Sequence, residues 1–587
     1  MKKSLLLAAC VSVALHAQTP TPRDSTSRAP AATPVPAGTA SLSGVVLDET
    51  SHPLRRATVL IHGDRQLEVS TVTDDHGRWT FTALPAGRFT ITASKPAYPS
   101  MSFGARRPNR PGSGVLLSAG KTVSDVTLTL PRGAVLSGVV FDDHGQPMPD
   151  VPVMAWELRT SLGGERTLDF PASGGESVVT DDRGRYRIYG LPAGEYTVGT
   201  AWFYSGMAGA VRVPSDEQIR AAFAAAQRPP GSVGASAVSL PQMPTSEHNF
   251  TATFLPGTTD PDTATTVQVA AGDERNDLNI QMLFRPMSVV TGTVEMAQGS
   301  PSIELRLHKR TRVSALNVTT FWSTSDGKFT TASLAPGNYT LTAHLAANKT
   351  TPAMWAQADL AVTGAEPVTV ALTMSPSMTV TGRLVFNGSA SPPADLSSIR
   401  VELVPMPDSG SRTSDVVVDA SGTFSVGGVI PGGYRVIASA QPGPSPSAWT
   451  MRSVVSDGED VTDLPLVIGP SGNRSMVVTF SDQVGELSGT VSNPSGGAVT
   501  DYFVIVVPAD SRYWIPGSRR IVSARPDVTG QFRFRGLPPG AYRIAATTDL
   551  VQRDLQDLGA LAQIAEHASP LTLDAGEKKV YDFAVGR

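Results

Sequence analysis

One pattern recurs five times along this chain, and it constrains the fold more tightly than anything else in the sequence. Its first copy is Thr73-Asp74-Asp75-His76-Gly77-Arg78-Trp79, and the other copies centre on Gly184, Gly327, Gly422 and Gly530. An aromatic stands two residues after each of these glycines: Trp79, Tyr186, Phe329, Phe424 and Phe532. A second glycine follows ten residues after the first (Gly87, Gly194, Gly337, Gly432, Gly540). A second aromatic follows twelve residues after it (Phe89, Tyr196, Tyr339, Tyr434, Tyr542), and a proline precedes every second glycine. Asp opens such a turn by accepting from backbone N–H groups two residues on, and glycine closes it by tolerating positive φ. Between the turns polarity alternates, as in Tyr186-Arg187-Ile188-Tyr189, which predicts strands with one buried face. The two aromatics of a copy are expected on neighbouring strands, packed side by side.

A second marker stands upstream of each turn: Ser43-Gly44-Val45-Val46, Ser137-Gly138, Thr291-Gly292, Thr381-Gly382 and Ser488-Gly489. Each opens a first strand. Apolar strands such as Ala57 to Ile61 follow it, and a late strand such as Val126 to Leu130 closes the copy. Six or seven short strands with regular turn signals make a small β-sandwich. The S/T-G-x-V opening, the D-x-x-G-x-aromatic turn and the L-P-x-G-x-aromatic strand together resemble the carboxypeptidase regulatory-like family. That resemblance implies a transthyretin-like, or prealbumin-like, sandwich within a broader group described as carbohydrate-binding-like. It covers nearly all the chain after the N-terminal spacer and stops at the accessory domain, so no peptidase domain is implied. Copies three and four depart from the motif at Ala335-Pro336-Gly337 and Pro431-Gly432-Gly433.

The expected architecture is all-β: a tandem array of five transthyretin-like sandwiches with small helical insertions. The boundaries are a signal peptide over 1–17, a Pro/Thr-rich spacer over 18–40, and sandwiches over 41–131, 132–286, 287–376, 377–485 and 486–587. The second unit holds a predicted helix from Asp216 to Gln227, capped by Ser215 and Gln218. In the fifth, Leu555, Leu558, Leu561 and Ile564 form a helical stripe expected to pack against its sandwich.

Lys2 and Lys3, an apolar run from Leu5 to Leu15 and then His16-Ala17 read as a secretory signal, cleaved after Ala17. The expected destination is the periplasm, the outer-membrane surface or the medium. A competing reading takes Leu7-Ala8-Ala9-Cys10 as a lipoprotein box with Cys10 lipidated, but few residues precede it and the apolar run continues past it. Cys10 is the only cysteine, so a chain cut beyond it has no disulfide or Cys-ligated zinc. No later apolar run is long enough to span a bilayer as a helix. Lysine and arginine number 48 against 52 acidic residues, which leaves no polybasic footprint for nucleic acid.

No catalytic constellation stands out: the histidines form no H-E-x-x-H and there is no G-x-S-x-G elbow. The chain is therefore expected not to be an enzyme and to carry no cofactor or metal. Asp74-Asp75, Asp181-Asp182 and Asp142-Asp143 offer too few oxygens for calcium and are read as turn caps. Two aromatic pairs are candidate ligand sites: Tyr513 with Trp514 in a polar loop, and Trp202 with Tyr204 at the start of the long insertion. For both, covering a sandwich edge is the competing reading. Trp355 and Trp449, each nine residues before a glycine, suggest a repeated structural role. The basic cluster Arg106, Arg107 and Arg110 is read as a solvated loop, with contact to an anionic polymer as the sharper alternative. The function expected is a non-catalytic envelope or extracellular scaffold, whose partner is a polysaccharide or another envelope protein. The alternative is an array of carbohydrate-binding modules.

Overall fold

The computed structural model describes residues 38–585 except 64–66, 171–176, 201–210, 213–219, 221–246, 296–302, 311–317, 325, 332, 348–351, 365, 407–415, 441–448 and 470–473. The first copy shows how the motif folds. Strands β1 (Ala40–Asp48), β2 (Thr58–Gly63), β3 (Leu67–Val72), β4 (Arg78–Leu84), β5 (Gly87–Lys95), β6 (Tyr98–Ser102), β7 (Val115–Leu117) and β8 (Thr122–Leu130) form two sheets. One has the order β4-β1-β8, with β1 antiparallel to β4 and parallel to β8. The other has the order β3-β2-β5-β6, with β7 also on β5. Alternating residues such as Leu42, Val59, Ile61, Phe89, Ile91 and Leu128 fill the space between them. Four further copies are two-sheet sandwiches around their own buried clusters, Ala134 to Met282, Val290 to Leu372, Met378 to Phe480, and Leu487 to Leu573, although in the fourth Val416–Val418 and Thr450–Ser456 join the sheet of the opening strand and make it six-stranded.

The two sequence markers meet in the folded chain. Gly77, Gly184, Gly327, Gly422 and Gly530 have φ between +68° and +81°, where a side chain would be strained. Each donates its N–H back to the carbonyl three residues earlier, as Gly77 does to Asp74 at 3.0 Å. Each then offers its own carbonyl to the opening strand: Val46, Val140, Val294, Leu384 and Val491 all donate to it at 2.8 Å. Those five donors stand two residues after the opening glycines. The opening glycines are in turn register partners of the first aromatics: Gly44 with Trp79, Gly138 with Tyr186, Gly292 with Phe329, Gly382 with Phe424 and Gly489 with Phe532. In four of the copies the aromatic ring lies over the glycine, so that an added Cβ would fall within 3.0 Å of it.

The two aromatics of a copy do not pack side by side. Trp79 lies on β4 and Phe89 on β5, and these strands belong to opposite sheets. The Leu-Pro-x-Gly segment is an arch between sheets, whereas alternating polarity alone reads equally well as a hairpin. In the other four copies the second aromatic is a tyrosine, and its hydroxyl donates to the carbonyl four residues back across this arch. These bonds run from Tyr196 to Pro192 (2.9 Å), Tyr339 to Ala335 (2.8 Å), Tyr434 to Ile430 (2.8 Å) and Tyr542 to Pro538 (2.6 Å). Burial pushes the hydroxyl pKa of Tyr339 and Tyr542 up to about 12, so the donor keeps its proton.

The turn carboxylates predict an acid sensitivity. Asp74 accepts from Arg78 N (2.8 Å) and His76 N (2.9 Å), and Asp181, Asp419 and Asp527 repeat this geometry. These bonds hold all four below the ordinary carboxylate value of 3.8: the Arg78 and Arg185 amides dominate at Asp74 and Asp181, the Ser421 and Thr529 side chains at Asp419 and Asp527. A depressed native pKa stabilises above the unfolded value and is lost as pH falls through the native one. Thermal melts should therefore weaken from about pH 4 downward. Asn493 makes the same bonds in a related turn, to Ser495 N (3.1 Å) and Gly497 N (2.8 Å). Replacing the four aspartates by asparagine should accordingly keep the neutral-pH melt and blunt the acid loss; a quadruple variant as acid-labile as the parent would refute this.

Candidate functional site

The fifth sandwich carries surfaces through which it meets the first, second and fourth copies. Its strand Phe503–Pro508 is buried on both faces. Val504 and Val506 face its own core, while Ile505 and Val507 belong to a second cluster with Leu550, Leu555, Leu561, Ala565 and, from the second sandwich, Leu162. Of the predicted stripe, Leu558, Leu561 and Ile564 lie on α1 (Leu558–Glu566), capped by Asp557, which accepts from Ala560 N at 2.7 Å, while Leu555 precedes it in the 3-10 helix Gln552–Gln556. The helix roofs the outer face of this sheet. The joint to the second sandwich adds a bridge between Ser161 and Asp557, with Arg159 at 3.5 Å from Asp557 and Arg553 at 3.7 Å from Glu157.

Trp514 and Tyr513 sit in this structural setting. Asp510 caps a short 3-10 turn, Ser511–Tyr513, by accepting from Arg512 N at 3.0 Å. Trp514 is half-buried against the Leu162–Leu555 cluster, and its indole N–H donates to Pro508 O at 2.9 Å. Tyr513 is half-buried, with the Arg520 guanidinium 4.6 Å from its ring centre. Arg520 and Arg519 both pair with Asp463 of the fourth sandwich, whose side chain is only 5% exposed. Arg435 of the fourth sandwich bonds Gly517 O. Beside this joint lies a cleft of about 420 Å³ lined by Ile437, Trp449, Ile515 and Arg519. The other aromatic pair, Trp202 and Tyr204, and the helix predicted over 216–227, Arg220 apart, lie outside the described residues.

The basic loop of the first sandwich is also a joint. Arg107 pairs with Asp549 at 2.6 Å, and Arg110 bridges Asp549 (3.3 Å) and Asp554. Arg110 is 10% exposed and Asp554 5%. Arg88 pairs with Asp501 of the fifth sandwich, and Gly114 N donates to the same carboxylate at 3.3 Å. Sequence reasoning picked out the Arg106–Arg110 cluster but neither its acidic partners nor Arg88. The repeat carries one signal for Arg88: the residue between the second glycine and second aromatic is Arg88, Glu195, Asn338, Gly433 or Ala541, so arginine occurs there only once.

Asp142, Asp143 and His144 bring three ligand atoms within 4.8 Å of one another. Asp142 already accepts from His144 N (2.9 Å) and Gln146 N (2.7 Å), and three ligands fall short of the six a calcium ion takes.

Residues 41–131 match the family described as the carboxypeptidase regulatory-like domain. A search of curated proteins gave no match. Among solved structures the chain is similar to a Streptococcal ancillary pilin, at 11% identity and TM-score 0.21 over 57% of this chain and 99% of that one. It is also similar to BcpA, the major pilin subunit of Bacillus cereus, at 10% identity and TM-score 0.15 over 78% and 99%. A third likeness is to the Bacillus anthracis TIE protein, at 12% identity and TM-score 0.15 over 58% of this chain. It spans about half of that protein, 51%.

Proposed function

We propose that this chain is a non-catalytic extracellular or cell-envelope scaffold, exported through the segment 1–17, whose five sandwiches are held in a closed arrangement. The observation that supports it best is the position of the fifth sandwich, which contacts the first, second and fourth through paired charges and an apolar cluster. The residues that recur in every copy serve turns, arches and cores. The residues that occur once, such as Arg110 and Asp463, serve the joints. A scaffold of this kind presents defined faces to a partner, an envelope protein or a polysaccharide, in a fixed relative geometry.

Small-angle scattering tests the closed arrangement. A compact chain of this length has a radius of gyration of about 25 Å. Five sandwiches of ~30 Å placed end to end would form a rod of roughly 43 Å. The expected value lies near the former, and a value near the latter would exclude closure by the fifth sandwich.

A further inference from the structure

The third sandwich carries a feature that the joints leave uncovered. Its larger sheet has the strand order Val318–Trp322, Glu304–Lys309, Gly337–Leu345, Met354–Val362. Leu305, Leu307, Leu341, Ala343 and Leu360 point into the core, so the alternate residues stand on the outer face. In one row across that face, Trp322 is the register partner of Glu304, Glu304 of His344, and His344 of Trp355. The adjacent row runs Thr320, Arg306, Thr342, Gln357. Trp322 is 61% exposed, His344 and Gln357 are exposed, and Trp355 is half-exposed.

Tryptophan is highly buried on average, and here an indole 61% exposed shares one sheet face with a second, half-exposed indole, a pair of apolar platforms that a ligand can cover. The two indoles stand three inter-strand steps apart, roughly 14 Å. Between them lie carboxylate, imidazole, hydroxyl and amide groups, a mixed set of donors and acceptors. Charges on this face are matched within it: Arg306 lies 2.7 Å from Glu304 and Arg310 3.0 Å from Asp359. A face of this kind offers no net charge to an anionic polymer. It suits a ligand with flat apolar faces and many hydroxyls, longer than one ring.

We propose that the outer face of the third sandwich binds a neutral polysaccharide, with Trp322 and Trp355 as stacking platforms and Glu304, His344 and Gln357 as hydrogen-bonding groups. The chain lies across the strands, along the Trp322–Trp355 row. This goes beyond the scaffold reading and stands or falls separately from closure. A peptide adding to the open edge strand Val318–Trp322 would use main-chain groups on the sheet rim and would not need Trp355.

Affinity electrophoresis of the full chain in gels containing hydroxyethylcellulose, laminarin, galactomannan or polygalacturonate tests the proposal. At least one neutral polymer should retard the protein, and Trp322→Ala and Trp355→Ala should each weaken that retardation about tenfold or more. Both variants should keep the parent circular dichroism, because neither indole belongs to a buried cluster. Trp514→Phe should leave retardation unchanged. Retardation by polygalacturonate alone, by no polymer, or with equal strength in the Trp322→Ala/Trp355→Ala double variant would overturn the proposal. So would self-association, measured by sedimentation, that Trp322→Ala abolishes while polysaccharide retardation persists.

Discussion

Gly382→Val should strongly destabilise the fourth sandwich while leaving the rest of the chain's strands protected. A Cβ at Gly382 would stand 2.3 Å from the Phe424 ring and 2.6 Å from the carbonyl of Met476 on the neighbouring parallel strand. Neither can yield cheaply. Phe424 is 1% exposed at the centre of the core, and Met476 is paired with Gly382 in the sheet. Displacing the ring is comparable to emptying a buried Phe site, about 3–5 kcal/mol, a large share of a domain stability of roughly 5–15 kcal/mol. Gly427→Val is the matched control: it lies in strand Thr423–Val429 with nothing within 4 Å of its Cβ position. Its effect should stay within about 0.5 kcal/mol. Hydrogen exchange read by mass spectrometry should show peptides from 423–429 and 474–481 losing protection in the first variant only. Retained protection in Gly382→Val would mean that the ring does not depend on the glycine.

That pairing marks the boundary of what the sequence shows. The opening S/T-G and the turn aromatic are each visible as recurring letters, and five copies in register make the sandwich legible without coordinates. Their contact is between residues 35 to 48 positions apart, as with Gly44 and Trp79, and no local pattern encodes it. The arch tyrosines show the same limit: the repeat reveals an aromatic, but the bond of Tyr434 to Ile430 depends on the chain crossing between sheets. Trp355 and Trp449 share a nine-residue spacing to glycine yet part company in the fold. The strand holding Trp355 joins the sheet of Gly337–Leu345, whereas the strand after Trp449 pairs with Arg474–Ser481 in the opposite sheet. Trp449 is consequently 5% exposed, edge-on to Phe386 at 5.0 Å, and Trp355 is half-exposed. Joints are harder still to read, because Arg110, Asp463 and Asp554 occur once each and repetition gives them no signal.

Arg110→Ala should open the contact between the first and fifth sandwiches. The guanidinium bridges Asp549 and Asp554, and Asp554 is also held by Val551 N at 3.0 Å inside the fifth sandwich. Removing Arg110 leaves Asp554 in place but without its cation. An unpaired charge at 5% exposure costs about 3–5 kcal/mol, and separating the sandwiches returns that carboxylate to water. Each 1.4 kcal/mol is about tenfold in the closed-to-open ratio, so the shift amounts to roughly a hundredfold or more. The Arg88–Asp501 pair and the Leu162 cluster remain, which makes Arg88→Ala/Arg110→Ala the variant with the larger displacement. Scattering should show a longer maximum dimension, and hydrogen exchange should rise in 100–114 and 549–557 while strands of both cores stay protected. Arg110→Lys should fall between, since an ammonium keeps the charge but lacks the planar fork that reaches two carboxylates. Added salt should reproduce the opening only weakly, because a pair this buried is poorly screened. A double variant that scatters like the parent would show that closure rests on the apolar cluster at Leu162 and not on these charges.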